Sequence, residues 1–214
     1  MQTRKIQTAV IYAALAVLAV VLGLLAARFT GTTGTNEPPQ LQAGTALGGQ
    51  SQVLPQFSLL DHEGQPFDRS RFEDRWSFLF FGYTYCPDVC PTTLATMSAT
   101  LNAIEPGDRP VGGVFVSVDP ERDSVERMES YVTYFHKDMI GVTGDESEIT
   151  NLTRPLGILA VKTTDPNDPD NYLVDHSASI LLVDPQGRLT AVFGAPHDPT
   201  RIAQDFETLR NHYR

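Results

Sequence analysis

Trp76-Ser77-Phe78-Leu79-Phe80-Phe81-Gly82-Tyr83-Thr84-Tyr85-Cys86-Pro87-Asp88-Val89-Cys90-Pro91 is the stretch from which the fold is read. Its first seven residues form a nearly continuous apolar run of strand length. That pattern suits a strand buried on both faces of a sheet. The chain's two cysteines follow at once, four positions apart, each with a proline after it. Spacing of four brings two side chains to one side of a helical turn. Two neighbouring thiols suit either disulfide chemistry or a soft metal ion. In regular helix their Cβ atoms would be ~5–6 Å apart, longer than the ~3.5–4.5 Å of a disulfide. Pro87 and Pro91 remove backbone donors and resist regular helix, so the segment can close to a disulfide or open around a metal. A permanent disulfide here would close a loop of only a few residues and constrain the unfolded chain little.

After the cysteines, Leu94, Met97, Leu101 and Ile104 recur at helical spacing, which predicts a helix from Thr92 to Ile104. Val114–Val118 is a second buried-strand run, and strand–helix–strand implies a parallel pair. Phe57–Leu60 reads as an earlier strand, followed by a turn at Asp61–Gly64 and a returning strand at Phe67. Beyond the Asp119-Pro120 break, a helix is expected over Ser124–Lys137, a short strand over Ile140–Val142 and a helix over Glu146–Leu156. Asp165-Pro166-Asn167-Asp168-Pro169-Asp170 marks Thr163–Asn171 as an exposed loop. Ser179–Val183 and Leu189–Phe193 form a hairpin around Asp184-Pro185-Gln186-Gly187. Asp198-Pro199 opens the last helix, to about His212. The succession is α/β with a mixed central sheet flanked by helices. A cysteine pair between the first core strand and its helix is the thioredoxin layout.

From Ala9 to Ala27 no side chain is charged, and this run of about 19 residues is enough to cross a ~30 Å hydrocarbon core. A cleaved signal would have a shorter apolar region and a small-residue site, which Leu25-Ala26-Ala27 matches poorly. The expected organisation is a cytoplasmic N-terminus at 1–8, a transmembrane anchor at 9–29, a flexible linker at 30–52 and a globular domain at 53–214. Arg4 and Lys5 before the span favour a cytoplasmic N-terminus, and no long Arg-rich presequence precedes it. The expected location is a bacterial inner membrane, single-pass, with the soluble domain in the periplasm. The chain's formal charge is −10. Arg4, Lys5 and Arg28 are the only charges before residue 29, so the rest is more acidic still. That excludes a nucleic-acid partner, whose phosphates reward basic patches.

The cysteine segment, then Ser117-Val118-Asp119-Pro120-Glu121-Arg122-Asp123, then Val174-Asp175-His176-Ser177, resembles the Sco/SenC family. The resemblance runs from about Pro55 to the C-terminus. It implies a membrane-tethered thioredoxin-fold copper protein that serves assembly of the CuA centre in cytochrome c oxidase subunit II. It further implies Cys86, Cys90 and His176 as metal ligands, one copper per chain as Cu(I) or Cu(II), and a copper donor protein as second partner. Two thiolates and one imidazole are a soft donor set that suits Cu(I) and can hold Cu(II); structural zinc would call for four ligands. The rival is a thiol–disulfide reductase that keeps the oxidase subunit's cysteines reduced, with Cys86 and Cys90 as redox-active thiols. A peroxide-reducing enzyme is disfavoured, because neither cysteine has Ser or Thr three residues before it. His62, His136, His197 and His212 read as ordinary surface or capping residues, and Met97, Met128 and Met139 as core. Asp119 reads equally as an acid that faces the site or a partner, and as a strand-ending Asp-Pro turn.

Overall fold

The structure, a computed structural model, describes residues 15–21, 37–165 and 168–213. The chain divides into two units, Met1–Glu37 and Pro38–Arg214. In the first, residues 15–21 are helical and exposed. Among the described residues no helix is long and apolar enough to cross a membrane. Most of the expected anchor at 9–29 lies outside the described residues.

The second unit is built on a mixed sheet. Its strands are β1 (Gly44–Ala46), β2 (Gln52–Val53), β3 (Ser58–Asp61), β4 (Pro66–Asp68), β5 (Trp76–Gly82), β6 (Val111–Ser117) and β7 (Met139–Thr143). β8 (Ala160–Asp165) and β9 (Asp168–His176) form a separate ribbon, and β10 (Ile180–Val183) and β11 (Arg188–Phe193) return to the main sheet. The order is β1-β11-β10-β5-β6-β7-β3-β4, with β2 also on β11. β5, β6 and β7 are parallel, and the other neighbours are antiparallel. The helices are α1 (Val89–Ala103), α2 (Val125–Phe135), α3 (Glu146–Thr153) and α4 (Pro199–His212).

β5 lies between β10 and β6, and all seven of its residues are buried. Its period-2 alternation puts Trp76, Phe78 and Phe80 on one face. Phe206 of α4 meets Trp76 and Phe78 with ring centroids 5.6 Å away in each case. Phe80 stacks on Phe115 of β6, which in turn meets Tyr131 of α2. Each of these large side chains contributes roughly 1.5–3 kcal/mol through burial. Met97, Met128 and Met139 are core residues. Asp198 caps α4 through the N–H groups of Thr200 and Arg201, and Ser124 caps α2 through Arg127.

Two sequence expectations need correction. The expected loop at Thr163–Asn171 belongs to the β8–β9 ribbon, in which Ala160 pairs with His176 and Thr163 with Leu173. Its Pro- and Asp-rich composition does not end the strands there, since Asp165 pairs with Asp168. The expected linker also ends too late, because β1 and the start of β2 lie inside 30–52. β1 pairs with β11 from Gly44↔Phe193 to Ala46↔Ala191. The reason is a buried acid. Asp205 of α4, 2 % exposed, accepts hydrogen bonds from the backbone N–H groups of Gln42, Ala43 and Gly44 at 2.7–3.2 Å.

A chain starting at Val53 therefore strips the Asp205 carboxylate of those donors and uncovers the edge of β11. Losing the partners of a buried polar group costs about 1–3 kcal/mol or more. Compared with a chain starting at Pro38, its melting temperature should fall by several degrees, at about 2–4 °C per kcal/mol for this size. Calorimetry on the two truncations checks this, and equal melting temperatures contradict it.

Candidate metal centre

β5 ends at Gly82 and α1 begins at Val89, so the cysteine segment spans the gap between the central strand and its helix. Cys86 lies in the connecting turn, where its N–H donates to the Tyr83 carbonyl at 3.2 Å. Cys90 lies in the first turn of α1, and its N–H donates to the Cys86 sulfur at 3.4 Å. Helix thus starts earlier than the expected Thr92 and takes in Cys90 and Pro91. Proline fits there because a first-turn N–H has no helical acceptor anyway. Both cysteines are free thiols.

His176 is the last residue of β9. Its Nε2 lies 3.2 Å from the Cys90 sulfur, and its Nδ1 lies 3.1 Å from the Ser177 carbonyl oxygen. A carbonyl can only accept, so in the neutral ring Nδ1 carries the hydrogen and Nε2 presents its lone pair to the sulfur. Burial holds the His176 pKa below its ordinary value, which keeps the ring neutral at physiological pH. The ligand atoms of Cys86, Cys90 and His176 all lie within 4.8 Å of one another, the one such cluster among the described residues. The structure therefore brings together all three residues singled out from the sequence. Asp175 is not part of the group: it is exposed and accepts from Thr163 Oγ1 at 3.2 Å.

The walls were less visible in the sequence. Tyr83 and Phe80 meet the His176 ring edge-on at centroid distances of 5.9 and 5.8 Å. Cys90 is fully buried, and a β-carbon on Gly82 would stand 2.7 Å from its sulfur and 2.8 Å from the Phe115 ring. Only glycine lets the sulfur sit there. Burial raises the Cys90 thiol pKa far above the ordinary range, so with no cation present this sulfur stays protonated. Cys86, by contrast, is half-exposed and forms the open side of the site.

A further layer comes from the turn after β6. Asp123, fully buried, accepts from Thr84 N, Thr84 Oγ1 and Ser117 Oγ at 2.6–3.3 Å, which fixes the start of the cysteine segment to β6. Asp119 is also fully buried; it accepts from Arg122 Nε at 2.5 Å and from the Tyr172 hydroxyl at 2.6 Å. It is neither a bare turn residue nor a surface acid. The signal for this layer was the Ser117–Asp123 motif itself, whose partners lie too far away in sequence to be read from it. His62 and His136 make backbone contacts, His62 Nδ1 accepting from Gly141 N at 3.1 Å and His136 ending α2.

Fold and site together define a thioredoxin-like domain carrying a Cys₂His cluster at the mouth of its first strand–helix turn. The SCO1/SenC family profile matches residues 45–211. The mitochondrial SCO2 homologue of Mus musculus is 38% identical over 81% of this chain and 67% of its own length. The human mitochondrial SCO2 homologue is 36% identical over 73% of this chain and 58% of its own. The matched region thus spans about six tenths of these relatives. The crystal structure of Arabidopsis thaliana ScoI with copper bound superposes with a TM-score of 0.71, at 33% identity, covering 76% of this chain and all of that one. The chain belongs to the SCO1/SenC family.

The asymmetry between the two sulfurs has a measurable consequence. In reduced, metal-free protein, iodoacetamide should modify Cys86 much faster than Cys90, because only the thiolate reacts and Cys90 is both covered and held protonated. Peptide mapping during the time course checks this; equal rates would contradict the buried placement of Cys90.

Proposed function

We propose that this chain is a copper metallochaperone that carries one copper ion on Cys86, Cys90 and His176 and delivers it to the CuA site of cytochrome c oxidase subunit II. The observation that carries the reading is the convergence of two sulfurs and one unprotonated imidazole nitrogen within 4.8 Å. Copper is cargo in this scheme. A soft, three-donor set holds Cu(I) well, and the imidazole extends it to Cu(II). The copper-bound ScoI of Arabidopsis thaliana, which shares the fold, supports the same chemistry. Binding displaces the protons of the two thiols, so affinity rises with pH. The half-exposed Cys86 gives an acceptor protein an open edge from which ligands can exchange one at a time. A donor protein loads the ion by the reverse path. An N-terminal anchor at residues 9–29 in a bacterial inner membrane, with the metal domain in the periplasm, would place it beside the oxidase.

The second reading, thiol–disulfide reduction of the oxidase subunit's cysteines, draws on the two free thiols. It does not need His176 as a third donor, whereas delivery uses the Nε2 that faces the Cys90 sulfur as one. The delivery reading is therefore preferred.

His176→Ala separates the two. Reduced protein should bind about one copper per chain, and Cys86→Ala or Cys90→Ala should abolish tight binding. His176→Ala should lose Cu(II) binding with its thiolate charge-transfer colour, keep weakened Cu(I) binding, still form the disulfide, and fail to support oxidase assembly in cells. Normal assembly by His176→Ala without Cu(II) binding would move the assignment to the reductase.

A further inference from the structure

His176 is the one member of the cluster carried by a strand outside the main sheet, and residues 177–179 join it to β10. It ends β9, and β9 pairs with β8 alone. A lone two-stranded ribbon is marginal by itself, so the position of the imidazole depends on what fastens the ribbon to the domain. The apolar contact beneath it is incomplete: a cleft of about 270 Å³ opens there, lined by Val118, Ile149 and Ile158 of the body and by Lys162 and Val174 of the ribbon.

The fastening comes from the turn after β6. Along β9, Tyr172 and Val174 are buried while Leu173 and Asp175 are exposed, so Tyr172, Val174 and His176 share the inner face. The Arg122 guanidinium carbon lies 3.6 Å from the centre of the Tyr172 ring, and Arg122 Nε donates to Asp119 at 2.5 Å. The Tyr172 hydroxyl donates to the same carboxylate at 2.6 Å, which closes the ring of contacts. Lys162 of β8 adds an ion pair to Glu121 at 2.9 Å. The same guanidinium carbon lies 4.9 Å from the Tyr85 ring centre and 5.6 Å from that of Tyr83, residues of the segment that carries the cysteines. One planar cation therefore faces tyrosines of both segments that carry the ligand set.

We propose that Arg122, clamped between Asp119 and Tyr172, is the positioning residue that holds the β8–β9 ribbon so that His176 meets the cysteine sulfurs. This rests on the reading of Cys86, Cys90 and His176 as the copper site, and it adds the residue that sets the third ligand's place. The clamp needs a flat guanidinium. A lysine would keep the charge but could not lie along the tyrosine ring while donating sideways to the carboxylate.

The test uses the full chain as wild type, Arg122→Gln, Arg122→Lys and Tyr172→Phe. Metal-free hydrogen exchange at the Val174 and His176 amides is read first, then competition titrations with Cu(II) and, under reducing conditions, Cu(I), with electron paramagnetic resonance of the Cu(II) forms. Loss of partners behind a metal ligand typically lowers affinity about 10–100-fold. Arg122→Gln should therefore lose Cu(II) affinity by that factor, weaken the imidazole nitrogen hyperfine lines, and speed exchange at the two amides about tenfold or more, while Cu(I) affinity falls less. Arg122→Lys should fail to rescue these signals. Folded variants with wild-type exchange and wild-type nitrogen lines overturn the proposal. Should Arg122→Gln fail to fold, Tyr172→Phe, which loses only the hydroxyl bond to Asp119, is read by the same criteria and decides in the same way. Wild-type protein that binds no copper refutes the delivery reading, while the exchange comparison still decides the clamp.

Discussion

The contact between the buried Cys90 sulfur and Nε2 of the half-buried His176, 3.2 Å apart, is what the rest of the structure serves. A thiol and an imidazole distant in sequence come this close only when several elements are held in register. Gly82 must lack a side chain, since a β-carbon there would collide with the sulfur and with Phe115. The Ser177 carbonyl must hold the hydrogen on Nδ1. The rings of Phe80 and Tyr83 must keep the imidazole upright. The consequence is a protonated Cys90 and a neutral His176, both kept so by burial. A cation reverses this, because positive charge in a low-dielectric site favours the thiolate strongly. The pocket is thus poor as a simple thiol nucleophile and well suited to a soft ion.

Two buried carboxylates organise the approach to this contact, and they divide the work. Asp123 collects three donors from Thr84 and Ser117 and locks the cysteine segment to β6. Burial nevertheless raises its pKa, with the nearby Asp119 carboxylate acting in the same direction against those hydrogen bonds. Asp119 collects Arg122 and Tyr172 and so reaches the ribbon. The two acids share one turn, yet one addresses the thiols and the other the imidazole. Breaking a buried charged pair is costly, because the remaining partner keeps its charge without compensation. The same energetics make such pairs effective at fixing one arrangement among several.

Much of the sheet was legible because its strands carry strong local patterns. Trp76–Gly82 reads as a fully buried strand and is one. The hairpin around Asp184–Gly187 follows from turn chemistry, with Gly187 at φ +69° supplying the conformation glycine allows best. The ribbon was not legible. Its Pro- and Asp-rich composition reads as a loop, and its contacts to Arg122, Asp119 and Glu121 join segments far apart in sequence. β1 and β2 escaped for a similar reason. They are three and two residues long in a Gly-, Thr- and Gln-rich stretch, and the donor groups beside β1 are claimed by Asp205, 163 residues beyond Gln42.

The sequence by itself singled out the three candidate ligand residues and the place of the thiols. Cys86 and Cys90 are the only cysteines, their spacing after a buried strand leaves few chemical uses, and the motif containing His176 completed the set by resemblance. What only the tertiary structure decided is how the imidazole reaches them. His176 is 86 residues from Cys90, on a ribbon outside the main sheet, and no local pattern records that distance. Its placement is a sum of side-chain contacts between segments distant in sequence. Local propensity specifies strands and helices, but a three-donor site is fixed only once packing and buried charge have chosen one arrangement of them.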